Sequence, residues 1–446
     1  MFIRKLGTRT MREWFMWILA LLAETVSKPL AAFLRRHAPS LREKLQPVLF
    51  SFYAWLSHNQ SFTVVMPAKE AAGPRPRLLI DVSTTYHLTQ VTGIQRTVRS
   101  LAAALQRNGA RYGLEPVPVR LKRVRGAKLI LLTVPGFPDP GGDEQPVALR
   151  NGDCFFMLDS SWDIYPKWAV TLFPVVRELG GKVITCVYDI LPITHPEFFT
   201  RASLKMFVPW YKFAVAESDA LFAISEATRQ ELIRKTEGLS IHTDFFHLGA
   251  DFVPAQRSIS GLPADGKVSR FLMVGTIEPR KGHKTVLEAF QMLWAAGSTV
   301  RLVFVGRQGW NVAELIARLE RLSAASDLFD YYPNASDDEL AACYREADAV
   351  IAASLAEGFG LPLVETLLLG KPLIASDIPA FREIAGSVPT YFEPGNPASL
   401  AAAVRSLLSG NGQKTREFPR WLTWDQSADQ LMEKIARFCG VADPSN

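Results

Sequence analysis

The sequence predicts an α/β protein built of two doubly wound, Rossmann-like domains that face each other across a cleft, preceded by a basic helical extension. Three observations carry this expectation. The chain has 446 residues, more than a single hydrophobic core supports at roughly 150 residues per domain. From about residue 76 almost to the end, short apolar runs alternate with amphipathic helical stretches, the cadence of parallel strands joined by crossover helices. That cadence stops between Val253 and Lys267, where Pro, Ser, Gly and Asp replace the periodic apolar residues, and it restarts at Arg270; such an interruption reads as a linker between domains.

The resulting division is an extension over 1–70, a first domain over 76–250, a linker over 251–267, a second domain over 268–415 and a final segment over 416–446. In the first domain, strands are expected at Leu78–Val82, Lys128–Leu132, Cys154–Leu158, Lys182–Val187 and Ala220–Ile224. A helix is expected from Gly93, because Ile94, Val98, Leu101 and Leu105 recur at three- and four-residue spacing and so share one face. Another follows Ser225, whose hydroxyl suits an N-cap. In the second domain the expected order is a strand at Arg270–Val274, a helix at His283–Ala296, a strand at Val300–Val305 and a helix at Asn311–Arg321, continuing through strands around Ile351 and Ile374. Trp424–Phe438 is again helical by period and long enough to cross back to the first domain.

The net charge of +6 resides entirely in residues 1–60, which hold nine Lys and Arg against three Glu, while the rest of the chain is balanced. The apolar run Phe15–Ala23 is far shorter than the roughly 20 residues a membrane-spanning helix needs, and Glu24 interrupts it. Basic residues mixed with Trp14, Phe15, Trp17, Phe33, Phe50, Phe52 and Trp55 suit a helix lying on anionic lipid; a helical hairpin packed on the body is the other arrangement they allow. Nucleic acid is not an expected partner, since the folded domains carry neither a basic excess with interleaved aromatics nor a helix-turn-helix pattern. The four cysteines, Cys154, Cys186, Cys343 and Cys439, lie far apart without a CxxC pair, so they read as small buried hydrophobes in a reducing compartment. No metal site is expected from carboxylate or His/Cys spacing.

Ligands of open parallel sheets bind outside the carboxyl ends of the strands, so the chemistry is sought in strand-to-helix loops. The richest is EGFGLPLVE, Glu357–Glu365. Gly358 and Gly360 allow close backbone approach, Pro362 suits the first turn of a helix, and the amides of Gly358, Phe359 and Gly360 are placed to cradle a diphosphate at the positive end of the helix dipole. An acid at the edge of such a nest is costly without a task, which for Glu357 is to accept from sugar hydroxyls and for Glu365, eight residues later, from ribose hydroxyls. Arg280 and Lys281 follow a strand and a Thr-Ile-Glu-Pro turn, where two cations neutralise a departing diphosphate. In the first domain the amide of Gly93 faces the same diphosphate, and Asp189 ends a strand at the place of a sugar or acceptor contact. Arg96 is an acceptor-side contact or a surface charge. Trp162 and Asp163 line an acceptor groove or, for the Trp, belong to the core.

Glu357 and Glu365 match the Glu-x7-Glu signature, and the chain resembles the retaining glycosyltransferases of family 4, which have the GT-B fold. The likeness extends through GTIEPRKGH (Gly275–His283), VGRQGW (Val305–Trp310), SEAT at Ser225, LGAD (Leu248–Asp251) and TGIQR (Thr92–Arg96), over roughly residues 76–440. It implies that Glu357 contacts the transferred sugar, Glu365 the nucleoside ribose, and Arg280 with Lys281 the diphosphate, with no metal and with retention of configuration. Two positions depart from the family pattern: Thr276 stands where many relatives have Arg after the glycine, and Tyr188 stands where they frequently have His before Asp189, for which His195 is a weaker substitute. GTIEPRKGH and YDILPITHPEFF are similar to bacterial mannosyltransferases of surface-polysaccharide assembly, which implies a nucleotide-sugar donor, GDP-mannose or a GDP-deoxyhexose, with UDP-sugars left open. The implied acceptor is a lipid-linked or growing glycan at the cytoplasmic face of the inner membrane. A non-catalytic assembly partner and a sugar-nucleotide epimerase are the competing classes; Glu357, Glu365, Arg280 and Lys281 together weigh against the first and the thin supply of His against the second.

Overall fold

The computed structural model describes residues 63–65, 73, 75–88, 93–124, 128–162, 164, 172–250, 270–409 and 421–441. The expected helical extension, apart from 63–65, the linker 251–267, Thr92 and Asp163 lie outside the described residues. Fourteen described strands form two sheets. The first contains β1 (Thr63–Val65), β2 (Arg77–Asp81), β3 (Glu115–Val124), β4 (Lys128–Thr133), β5 (Cys154–Met157), β6 (Val183–Val187), β7 (Ala220–Ala223) and β8 (His242–Phe245), in the spatial order β1-β4-β3-β2-β5-β6-β7-β8. The second contains β9 (Arg270–Val274), β10 (Arg301–Val305), β11 (Phe329–Tyr332), β12 (Ala349–Ala352), β13 (Leu373–Ser376) and β14 (Thr390–Phe392), all parallel, in the order β11-β10-β9-β12-β13-β14.

The helices, in chain order, are α1 (Gly93–Asn108), α2 (Leu172–Glu178), α3 (Leu191–Thr194), α4 (Arg201–Glu217), α5 (Glu226–Lys235), α6 (His283–Ala295), α7 (Ala313–Ala325), α8 (Asp337–Glu346), α9 (Leu361–Leu368), α10 (Pro379–Ala385), α11 (Pro397–Leu408) and α12 (Trp424–Cys439). Ser225 caps α5, accepting from the amide of Thr228 at 3.0 Å. A reciprocal pair, Thr423 with Gln426, starts α12 by satisfying two otherwise unpaired amides.

One expectation needs correction. The first sheet is not wholly parallel, because β3 and β4 pair antiparallel from Val119↔Thr133 to Val124↔Lys128, and β3 itself was not expected as a strand. Its Pro116 and Pro118 explain why. The amides of Glu115 and its alternate neighbours face β2, so the two prolines face the β4 side, ahead of the point where that ladder begins. Their missing N–H groups therefore cost no sheet hydrogen bond.

Both sheets reverse their strand order, between β9 and β12 in the second and between β2 and β5 in the first, and such switch points open crevices at the carboxyl ends of the strands. Arg280 and Lys281 follow β9, Glu357 follows β12, Gly93 follows β2, Asp189 follows β6 and Ser225 follows β7. One apolar core includes residues of both sheets: Leu78, Ile80 and Phe222 of the first and Leu272, Val303 and Leu373 of the second all belong to it. The crossing helix α12 joins this core through Ala428, Leu431, Met432 and Ile435, one face at helical spacing and fully buried. That face packs on α1, and ion pairs Arg107–Asp425 (2.8 Å) and Arg111–Asp429 (3.0 Å) flank the contact.

Candidate active site

The loop after β9 and the loop after β12 meet through charge. Pro279–Lys281 forms a single 3-10 turn, which sends two consecutive cations toward the neighbouring strand end. Arg280 reaches Glu357 Oε2 at 2.7 Å and Glu278 Oε1 at 2.8 Å; Lys281 pairs with Glu357 Oε1, and the Ser354 hydroxyl donates to the same oxygen at 2.7 Å. The backbone supports the juxtaposition, as the amide of Leu355 donates to the carbonyl of Arg280 at 2.7 Å. Burial alone raises the pKa of the Glu357 carboxyl, but Arg280 and Lys281 outweigh it and hold the group down at about 2. Glu278 and Asp189 move the other way: burial pushes each carboxyl up, and the Arg280 charge only partly offsets it. The Arg280 guanidinium is shifted upward despite burial, by Glu357, Glu278 and Asp189. One carboxylate is thus firmly ionised between two cations, with two more acids beside them.

Next to this cluster begins α9. Among the described residues, the N–H groups of Gly358, Phe359 and Gly360 have no hydrogen-bond acceptor, and the first-turn amides of a helix have none within it. These donors adjoin Glu357 and its partners Arg280 and Lys281 in the chain and in space, a combination suited to an anion of multiple charge. Two glycines are required by geometry. Gly360 has φ 110° and a Cβ there would lie 2.6 Å from the Phe381 ring; a Cβ on Gly358 would lie 2.1 Å from the carbonyl oxygen of Tyr188 and 3.0 Å from Asp189 Cβ. Asp189 itself accepts from the Leu191 amide at 3.0 Å. Gly358→Ala is therefore expected to push the two domains apart locally, lowering stability by about 1–3 kcal/mol, read as a lower Tm, and with it the docking of the Gly358 carbonyl on Ser225 Oγ (2.6 Å) and Thr228 Oγ1 (3.3 Å).

Glu365 lies on α9, nearly fully buried. It accepts from the Tyr344 hydroxyl at 2.9 Å, and Arg96 pairs with its other oxygen. Arg96 crosses from α1 to the second domain, an ion pair between the domains that its place in the sequence did not announce. Gly93, at the head of the same helix, faces Leu361, the first residue of α9. A second polar bridge joins the domains through Glu383 of α10, which accepts from the amides of Glu226 and Ala227 (2.8 and 2.7 Å) and meets His247 Nε2 at 2.6 Å.

Other sequence candidates have neighbours outside the Glu357 cluster. His195 lies beside Glu197 of its own turn, 3.6 Å away, and Trp162 packs edge-on against Phe207 (5.1 Å) in an aromatic cluster with Trp210, the core role. Sequence reasoning missed Ser354, Glu278, Tyr344 and Glu383 as parts of the site. Glu278 and Ser354 each lie within three residues of a singled-out position, a signal that was available; Tyr344 and Glu383 are brought in only by the tertiary fold.

A family model described as glycosyl transferases group 1 matches residues 255–419, the segment holding Arg280, Lys281, Glu357 and Glu365. The match lies on the second domain, the part of the chain that carries β9–β14. The chain is similar to the serotype-specific mannosyltransferase WbdA of Escherichia coli, 32% identical over 383 residues that make up 80% of this chain and 46% of that protein; it spans about half the length of the curated relatives it matches. In structure it resembles the catalytic domain of starch synthase IV from Arabidopsis thaliana bound to ADP and acarbose, with a TM-score of 0.54 at 12% identity over 82% of this chain and 100% of that one. It likewise resembles sucrose-phosphate synthase from Thermosynechococcus elongatus, with a TM-score of 0.51 at 18% identity over 82% and 95%. These likenesses establish the fold, GT-B, with the two sheets at the centres of its two halves. No helix among the described residues is long and apolar enough to cross a membrane.

Proposed function

We propose that the chain is a retaining glycosyltransferase of family 4 that moves mannose from GDP-mannose to a lipid-linked or growing surface polysaccharide. The observation that carries this is the ionised Glu357, held between Arg280 and Lys281 beside the unpaired amides of Gly358–Gly360. Transfer from a nucleotide sugar has an oxocarbenium-like transition state, as glycoside hydrolysis does, so stabilising the departing diphosphate matters more than supplying a nucleophile. Arg280, Lys281 and the α9 amides take up that charge without a metal, and Glu357 orients the sugar through its hydroxyls. Glu365 receives the ribose, while Asp189 faces the sugar from the first domain. The likeness to WbdA supports mannose. The basic, aromatic residues 1–70 hold the enzyme at the inner face of the cytoplasmic membrane, where lipid-linked acceptors sit.

Release of nucleoside diphosphate from GDP-mannose and from UDP-glucose, with a membrane lipid extract as acceptor, tests this directly. Acceptor-dependent release of GDP that disappears in Glu357→Ala is the expected result. Release from UDP-glucose alone would replace the donor. A folded protein that binds nucleotide and turns over neither donor would remove the catalytic assignment in favour of a non-catalytic assembly role.

A further inference from the structure

The four cysteines are scattered in the chain, but the fold brings two of them together. Cys154 is the first residue of β5 and Cys439 the last of α12, 285 positions later, and their Sγ atoms are 3.1 Å apart. Cys154 is buried, whereas Cys439, at the end of α12, is only partly so and is the more accessible of the two. No such partner stands beside Cys186 or Cys343 among the described residues. A disulfide needs its sulfurs at about 2.05 Å, a closure of about 1 Å that side-chain rotation at the end of a helix supplies. With one sulfur donating to the other, the pair shares and stabilises a single thiolate, which is the reactive form.

We propose that Cys154 and Cys439 are a thiol pair that a low-molecular-weight disulfide converts to a reversible cross-link between the crossing helix and the first sheet. The accessible Cys439 thiolate attacks one sulfur of oxidised glutathione, forming a mixed disulfide and releasing one glutathione thiolate. The Cys154 thiolate then attacks Cys439 Sγ, forming the Cys154–Cys439 bond and releasing the second glutathione thiolate. The two cysteines lose two electrons and two protons; the glutathione disulfide takes up the electrons and its products the protons. The cross-link secures the far end of α12. Ahead of the near end, Trp421 packs on Phe359 of the donor loop (5.8 Å between ring centroids) and donates its indole N–H to the carbonyl of Leu248 at 2.8 Å. The redox state of the pair thereby sets how freely the segment joining the two domains moves.

The test uses the full-length protein incubated with excess oxidised glutathione, with thiols counted under denaturing conditions before and after. The expected result is the loss of two of four thiols, a mass lower by two hydrogens without a glutathione adduct, and a non-reducing peptide map joining the two predicted peptides. Tm should rise on oxidation and return with dithiothreitol. Cys439→Ser, at the more accessible position, should abolish all of these; it also guards against a Cys154 variant that fails to fold. Retention of four thiols, a glutathione adduct that persists on Cys439, or a bridge involving Cys186 or Cys343 would each overturn the proposal.

Discussion

Arg280→Ala is expected to lower turnover about 10²–10³-fold, the loss seen when one preorganised charge-stabilising donor is removed from a reacting centre. The guanidinium is the hub of the site: it pairs with Glu357 at 2.7 Å and Glu278 at 2.8 Å, and it is the largest favourable charge acting on Asp189. Its loss also leaves the buried Glu278 without its ion-pair partner and Glu357 with Lys281 alone, and a buried pair that loses one partner costs about 3–5 kcal/mol of stability. The two effects separate when turnover is measured well below the variant's Tm. Arg280→Lys keeps the charge, but a single ammonium cannot fork between Glu278 and Glu357, so it should recover part of the stability and less of the rate. Turnover within a few-fold of wild type for Arg280→Ala, in a folded protein, would remove Arg280 from the diphosphate contact.

Local pattern made part of this legible. The alternation of strands and helices, the N-cap Ser225, and the loop Glu357–Glu365 are encoded within a few residues of each other, so sequence order suffices to find them. Strand β3 escaped because Pro116 and Pro118 argue against a strand unless it is known that their amides face away from the β2 ladder. The pairing of Arg96 with Glu365 spans 269 positions, and that of Cys154 with Cys439 spans 285; both exist only because α1, α9, β5 and α12 converge in space. The same holds for Tyr344 and Glu383. Candidate residues in one loop are legible locally, whereas partners such as Tyr344 and Glu383, distant in the chain, are not.

Glu357→Gln should cost a comparable factor, about 10²–10³ in turnover, for a different reason. The amide keeps the shape of the carboxylate but not the charge that fixes Lys281 and Arg280, and it replaces one strong acceptor for sugar hydroxyls with a donor. The pH dependence of stability carries an independent signature of the same group. In the folded protein Glu357 titrates at about 2, against an ordinary value of 4.5. A depressed carboxyl contributes stability that is fully present above the ordinary value and is lost as pH falls toward the folded one; here the contribution is on the order of 3 kcal/mol. Glu278 and Asp189, with raised pKa values, oppose folding while ionised, and take up protons before Glu357 as pH falls, so acidification first relieves two buried charges and only then attacks the Glu357 cluster. Tm followed from about pH 6 to about pH 2.5 should therefore fall more steeply for wild type than for Glu357→Gln below about pH 4.5, the two curves converging as acid protonates the wild-type group. Parallel curves throughout would mean that Glu357 is not held ionised by Arg280 and Lys281, and the electrostatic account of the donor site would fail with it.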